Sequence, residues 1–180
     1  IFPLNGKPII EHVYDKVIQS KLLSKVVVAI DSQITKESIN CSNIVMTSDK
    51  HQSGTDRVAE VSKNYNCDIV INIQGDEPGI DPDLIDKLIM LFDDPKVEMA
   101  SVASTDLHEN DFINENVVKV NLDDENNAIS FVRNNMNPKQ TYFRHIGIYW
   151  PLKNEVDIRS LKENIPLALP RCNDKKELLF

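Results

Sequence analysis

Apolar side chains recur at helical spacing early in the chain, at Ile9, Ile10, Val13, Val17 and Ile18. Pro8 stands where a missing N–H costs a helix little, so this spacing predicts a first helix. The run Lys25-Val-Val-Val-Ala-Ile30 is short, apolar and β-branched, and ends at Asp31-Ser32. It predicts a strand buried on both faces, and Asn43-Ile-Val-Met46 predicts a shorter second one. Ser53-Gly54-Thr55-Asp56 opens a second helix with Val58, Ala59 and Val61 facing inward. Asp68-Ile-Val-Ile-Asn-Ile73 predicts a third strand, which runs into Gln74-Gly-Asp-Glu-Pro78. A third helix starts near Pro82 and Asp83, carries Leu84, Ile85, Leu88, Ile89 and Phe92 inward, and stops before Pro95. Strands and helices in alternation imply a parallel sheet with helices on its faces, where ligands bind beyond the carboxyl ends of the strands. Asp31-Ser32 and Gln74 to Glu77 lie at such ends.

The pattern changes after Val97 to Ser104, itself a strand candidate. Val117-Val-Lys-Val-Asn-Leu122 alternates, turns at Asp123 to Asn127, and is answered by Ala128 to Arg133 as a hairpin. Phe143 to Trp150 predicts another strand, and Leu152 to Ile165 a helix. With no repeat and no linker, the chain reads as one domain over 1–180. Its 1–105 part is the alternating one and its 106–180 part is rich in strands.

Composition narrows the class. The 180 residues are 41% hydrophobic and 27% charged, which suits one ordinary domain and excludes disordered and low-complexity chains. The net charge of -8 argues against nucleic acid or an anionic membrane as partner, unless a basic patch overrides it. No apolar run approaches the ~20 residues of a membrane span. Cys41, Cys67 and Cys172 are odd in number and far apart, which predicts a reducing, cytoplasmic setting rather than a disulfide framework. The chain begins at Ile1 rather than at Met, so a segment ahead of it is expected.

Three stretches could carry chemistry. Asp76 and Glu77 follow a buried strand and could present a hard cation such as Mg²⁺ to substrate phosphates, or be solvated acids in a turn. His51-Gln-Ser-Gly-Thr-Asp-Arg57 offers hydroxyls, backbone N–H groups and a guanidinium at a helix start. That suits an anion, while Ser53 as a plain N-cap suits the same letters equally well. In His145-Ile-Gly-Ile-Tyr149 the alternation puts His145, Gly147 and Tyr149 on one face of a strand and Ile146 and Ile148 on the other. Arg133, at a strand end, could meet a substrate carboxylate or a surface acid. Walker-type glycine loops are absent from the 180 residues.

Taken in order, Leu4-Asn-Gly-Lys-Pro-Ile9, His51 to Arg57, Asn72-Ile-Gln-Gly-Asp-Glu-Pro78, Val118-Lys-Val120 and Arg144-His-Ile-Gly-Ile-Tyr149 resemble the 3-deoxy-manno-octulosonate cytidylyltransferase (CMP-Kdo synthetase) family. The resemblance spreads over about residues 1–150. It implies an α/β, Rossmann-like three-layer nucleotidyltransferase fold. The sheet would be mixed and mostly parallel, with a β-rich part for sugar binding and dimerisation. It implies transfer of CMP from CTP to an acidic eight-carbon sugar, Kdo, with release of pyrophosphate, in lipopolysaccharide biosynthesis and as a cytoplasmic homodimer.

By position, the resemblance implies that Asp76 holds Mg²⁺ and that Asp76 and Arg133 are catalytic. It implies that His51, Gln52, Ser53, Gly54, Thr55 and Arg57 line the nucleotide pocket, and that Gln74, Arg133, His145 and Tyr149 contact the sugar acid. It also implies a strand and a basic, serine-containing phosphate loop ahead of Ile1, and a metal-binding Asp and a Glu-Gln-Leu-Arg segment that the 180 residues lack. The chain as it stands is therefore expected to be incomplete for turnover. Two other readings remain: a cytidylyltransferase for another acidic sugar, such as sialic acid, and a non-catalytic binding dimer. A metal-dependent glycosyltransferase would show Asp-x-Asp, whereas Asp76 and Glu77 are adjacent.

Overall fold

The computed structural model describes residues 3–97, 99–151 and 171–172. Strands β1 (Pro3–Leu4) and β2 (Lys7–Pro8) form a small hairpin. Its turn needs left-handed backbone at both central positions, and Asn5 and Gly6 supply it with φ of 51° and 80°. Helix α1 (Ile9–Val17) follows directly and buries Val13 and Val17, as the spacing predicts, with Pro8 as its N-cap. Strand β3 (Val28–Ile30), helix α2 (Gln33–Ser38) and strand β4 (Ile44–Met46) come next, with β3 and β4 paired in parallel. Helix α3 (Gly54–Ser62) leads to β5 (Asn72–Ile73), and α4 (Pro82–Met90) runs on into a single tighter turn, Leu91–Asp93.

Strand β6 (Met99–Ser104) and helix α5 (Glu109–Ile113) precede the hairpin of β7 (Lys119–Leu122) and β8 (Ala128–Val132). The ten-residue β9 (Tyr142–Pro151) and the short β10 (Arg171–Cys172) complete the described elements. The expected helix over Leu152 to Ile165 lies outside the described residues. Helices α2 and α5 were not anticipated: both are short and bury no residue, so neither leaves an apolar stripe in the sequence.

The mixed α/β class is as expected. In the six-stranded sheet the order is β10-β6-β9-β7-β8, with β5 also joined to β9. Among the described residues only β3/β4 and β6/β10 are parallel; β9 runs antiparallel to β5, β6 and β7. The two parts of the chain therefore share one sheet. Helices α1 and α4 cover one face, where Val13, Val17, Leu84, Ile85 and Leu88 pack on Ala100, Val102 and Ile148. Ala103 and Val120 bury a smaller cluster with Met99, Leu122, Ala128 and Phe143. No helix among the described residues is long and apolar enough to cross a membrane.

Two expected strands are shorter than their sequence patterns. β3 keeps only the end of the 25–30 run, and β5 only the end of the 68–73 run. Among the described residues each has a ladder partner on one edge alone, β4 for β3 and β9 for β5. Val26 to Ala29 and Ile69 to Ile73 instead both line a cavity of about 870 Å³. A β-branched run is a strand only where a neighbour accepts its hydrogen bonds.

Asp86 ties α4 to the chain beyond α1. Its carboxylate is 7% exposed and accepts from the Ser20 hydroxyl at 2.5 Å and from the N–H groups of Lys21 and Leu22 at 3.1 Å each. Burial by itself would raise its pKa, but these three donors together hold it below the ordinary aspartate value. The depressed value sets the sign: the stabilisation is full above the ordinary value of 3.8 and fades as pH falls through the lower folded one. Asp86→Asn is expected to cost about 1–3 kcal/mol in urea unfolding at neutral pH. Its deficit relative to the parent should shrink on acidification below the ordinary aspartate range. A deficit unchanged down to strong acid would contradict this account.

Candidate active site

The acidic turn and the last long strand meet at one glycine. β5 aligns Asn72 with Tyr149 and Ile73 with Ile148, and the Gln74 N–H donates to the Gly147 carbonyl at 3.4 Å. A Cβ on Gly147 would stand 2.8 Å from Gln74 Cδ and 3.0 Å from its Cγ, so a side chain there would force Gln74 to shift. Glu77 accepts from the backbone N–H of Gly147. Burial first, and then the neighbouring Asp76 charge, push the Glu77 pKa up, against the pull of Gly147 and Arg144. Asp76 itself is exposed.

β9 carries two residues more than β6 at this point. Ser101 aligns with Tyr149 and Val102 with Ile146, so Gly147 and Ile148 form a bulge. An excess of two keeps the alternation: Ile146 and Ile148 both pack into the main core, as the sequence predicts. His145 lies toward the other face, with its ring edge-on to Phe131 at 4.9 Å. Burial pushes its pKa down to about 4, so the imidazole is neutral at physiological pH. Tyr149 is placed by its backbone alignment with Asn72 and Ser101.

The second motif sits at the start of α3. Ser53 is its N-cap: the hydroxyl accepts from the Asp56 N–H at 3.2 Å and donates to the Asp56 carboxylate at 2.8 Å. The capping alternative therefore describes Ser53. Arg57 reaches back to the ends of the parallel strands, donating to Asp31 Oδ2 at 2.5 Å and to the Thr47 hydroxyl at 2.7 Å. His51 Nε2 contacts Glu60 Oε2, which also accepts from the Ser48 N–H at 3.2 Å. The His51 contact is the main reason that the Glu60 pKa lies below its ordinary value. Gly54 and Arg57 line the cavity together with Gln74, Gly75 and Asp76. His51 and Gln52 stand in the adjoining loop, and Thr55 lies in the first turn of α3.

A family model described as cytidylyltransferase matches residues 1–162. The 3-deoxy-manno-octulosonate cytidylyltransferase of Pelobacter propionicus is 35% identical over 81% of this chain and 65% of its own length. That of Geobacter metallireducens is 40% identical over 71% of this chain and 52% of its own length. A solved CMP:2-keto-3-deoxy-manno-octonic acid synthetase, complexed with CTP, superposes with a TM-score of 0.79 at 27% identity, covering 94% of this chain and 81% of that one.

The chain belongs to the cytidylyltransferase family. It spans between about half and two thirds of the length of the two curated relatives.

Arg133 directly follows β8. It is exposed, and its guanidinium donates to the carbonyls of Glu115 and Asn116 at 2.9 and 3.3 Å. Lys119, fully buried, donates to the carbonyls of Asn114 and Arg133 at 2.7 and 2.9 Å, and burial lowers its pKa. Together they clamp the 114–116 segment to the end of β8. Sequence reasoning left Asp31 without a role, took Lys119 only as part of the Val118-Lys-Val120 stretch, and passed over Glu60 and Ser101. Asp31, an acid at a strand end, and Lys119, within a motif, carried a signal; Glu60 and Ser101 did not, because their partners lie outside their own helix or strand.

The Gly147 contact yields a contrast. Gly147→Ala is expected to displace Gln74 and cost about 1–3 kcal/mol. A Cβ on Gly75 would meet only the Ile10 side chain, at 3.4 Å, so Gly75→Ala should cost less. Chemical denaturation of the two variants checks the order, and equal losses would refute it.

Proposed function

We propose that this chain forms the larger part of a 3-deoxy-manno-octulosonate cytidylyltransferase, which transfers CMP from CTP to Kdo and releases pyrophosphate. The observation that carries the reading is the junction at Gly147, where Gln74 and Glu77 from one motif contact the strand that carries His145, two residues away in the other. Similarity to relatives that carry this name supports the choice of substrates. The anomeric hydroxyl oxygen of the sugar bonds to the α-phosphorus and loses its proton to water. The bond from that phosphorus to the bridging oxygen breaks, and pyrophosphate leaves. The protein's share is positioning and electrostatics.

Gln74 and His145, with Tyr149, orient the sugar in this reading. The start of α3, from Gly54 to Arg57, faces the nucleotide, with Arg57 held in place by Asp31 and Thr47. Among the described residues no group of three His, Cys, Asp or Glu gathers as a metal cage. One exposed carboxylate completed by substrate phosphates and water suits Mg²⁺, so Asp76 would hold it, beside Glu77. Bound there, Mg²⁺ supplies charge neutralisation of the phosphates. The apolar length of the cavity, between Val26–Ala29 and Ile69–Ile73, would take the strand that the family resemblance implies ahead of Ile1. Free Cys41 and Cys67 suit the cytoplasm. A two-fold dimer through the second part is supported by β8, an edge strand among the described residues, with Ile129 and Phe131 59% and 41% exposed.

Pyrophosphate release from CTP, Mg²⁺ and Kdo tests the reading, with the 180-residue chain and its full natural reading frame measured side by side. The longer chain is expected to turn over, and Asp76→Asn in it to lose about a hundredfold or more in kcat while remaining folded. Release with sialic acid instead of Kdo would move the assignment to another acidic sugar. A folded, dimeric, inactive longer chain would leave the binding-dimer reading in its place. Ile129→Lys is expected to shift the sedimenting species toward monomer, and an unchanged dimer would place the interface elsewhere.

A further inference from the structure

The hydrogen bonds around Ser101 determine which nitrogen of His145 carries its proton. Ser101 is 1% exposed, and its Oγ lies 2.5 Å from the Ile148 carbonyl oxygen and 2.6 Å from His145 Nε2. A hydroxyl has one proton, and a carbonyl oxygen can only accept, so that proton goes to Ile148. The contact with His145 then requires Nε2–H as the donor. The ring is neutral, so its single N–H is used there and Nδ1 is left with a lone pair. The bulge makes this arrangement: inserting Gly147 and Ile148 into β9 places the Ile148 carbonyl within reach of Ser101, while His145 comes up from two residues before the bulge.

We propose that Ser101 is a positioning residue that locks His145 in the Nε2–H tautomer, so that His145 accepts a hydrogen bond from a hydroxyl of a polyhydroxylated sugar acid and does not act as a cation toward its carboxylate. The substrate half of this statement rests on the reading given under Proposed function; the tautomer half does not. A site built around an acceptor selects for the hydroxyl that satisfies it and rejects analogues that lack it. Gln74, in contact with Gly147 two residues further along β9, offers both donors and an acceptor.

Two-bond ¹H–¹⁵N correlation spectra of the ¹⁵N-labelled full chain read the tautomer directly at neutral pH. His145→Gln assigns the signals by their loss among the four histidines. The parent is expected to show His145 as Nε2–H. Ser101→Ala should give a mixed ring, raise the KM for the sugar acid about tenfold, and leave the KM for CTP within about twofold. Ser101→Thr, which keeps the hydroxyl, should restore both. An Nδ1–H ring in the parent, or a Ser101→Ala ring identical to the parent's, would overturn the proposal. A tautomer change with unaltered sugar KM would overturn its substrate half. If Ser101→Ala does not fold, the parent spectrum and Ser101→Thr still decide the tautomer. If no acidic sugar turns over at all, the functional reading fails while the spectrum still settles the ring.

Discussion

Strand β9 is the constraint on which the rest depends. It bonds to β6 along one edge and to β7 and β5 along the other, so one stretch of backbone joins strands from both parts of the chain. Its alternation sends Ile146 and Ile148 into the core under α1 and α4 and leaves His145 toward the opposite face. A slip of one residue would exchange those faces, exposing Ile148 and burying a polar ring against Leu88. The bulge at Gly147 and Ile148 adds two residues rather than one, and therefore changes local geometry without exchanging the faces. The core and the candidate site are thus set by the same register.

Charge is arranged differently from what the candidate residues alone suggest. With a net charge of -8 and anionic substrates in view, every cation near the site should matter. Yet Arg57 is tied to Asp31 and Thr47, Arg133 to two carbonyls, and Lys119 to two more. These groups organise loops and strand ends. A guanidinium fixed by an acid and a hydroxyl keeps donors pointing in set directions, which is pre-organisation, and its planar fork makes lysine a poor substitute. His145 adds no charge. In the reading proposed above, binding of anions would therefore rely on directed donors more than on a pool of free positive charge.

The sequence spoke clearly where structure is local. Helix α1, the cap of α3, the β7–β8 hairpin and the long β9 follow from spacing within a window of ten or so residues. So does the polar turn from Gln74 to Glu77. It was silent where meaning depends on partners far along the chain. The runs 25–30 and 68–73 have the composition of strands, and their lengths in the fold are set by which edges find a ladder. Arg57 reads as a ligand residue, and that Asp31, twenty-six positions earlier, holds it is not legible from spacing.

Ser101 shows the limit most plainly. In sequence it is one small polar residue in an apolar strand, as compatible with a tolerated serine as with a functional one. Its meaning arises only when Ile148 and His145, forty-seven and forty-four positions away, take its one proton and one of its lone pairs. With one hydroxyl proton on Ser101 and a carbonyl that can only accept it, one consistent assignment is left, so the chemistry of His145 is decided by a residue that need touch no substrate. Motifs record groups that recur at fixed spacing along the chain. The atoms that set the protonation of those groups lie across the sheet, and the register of β9 with β6 is what brings them there.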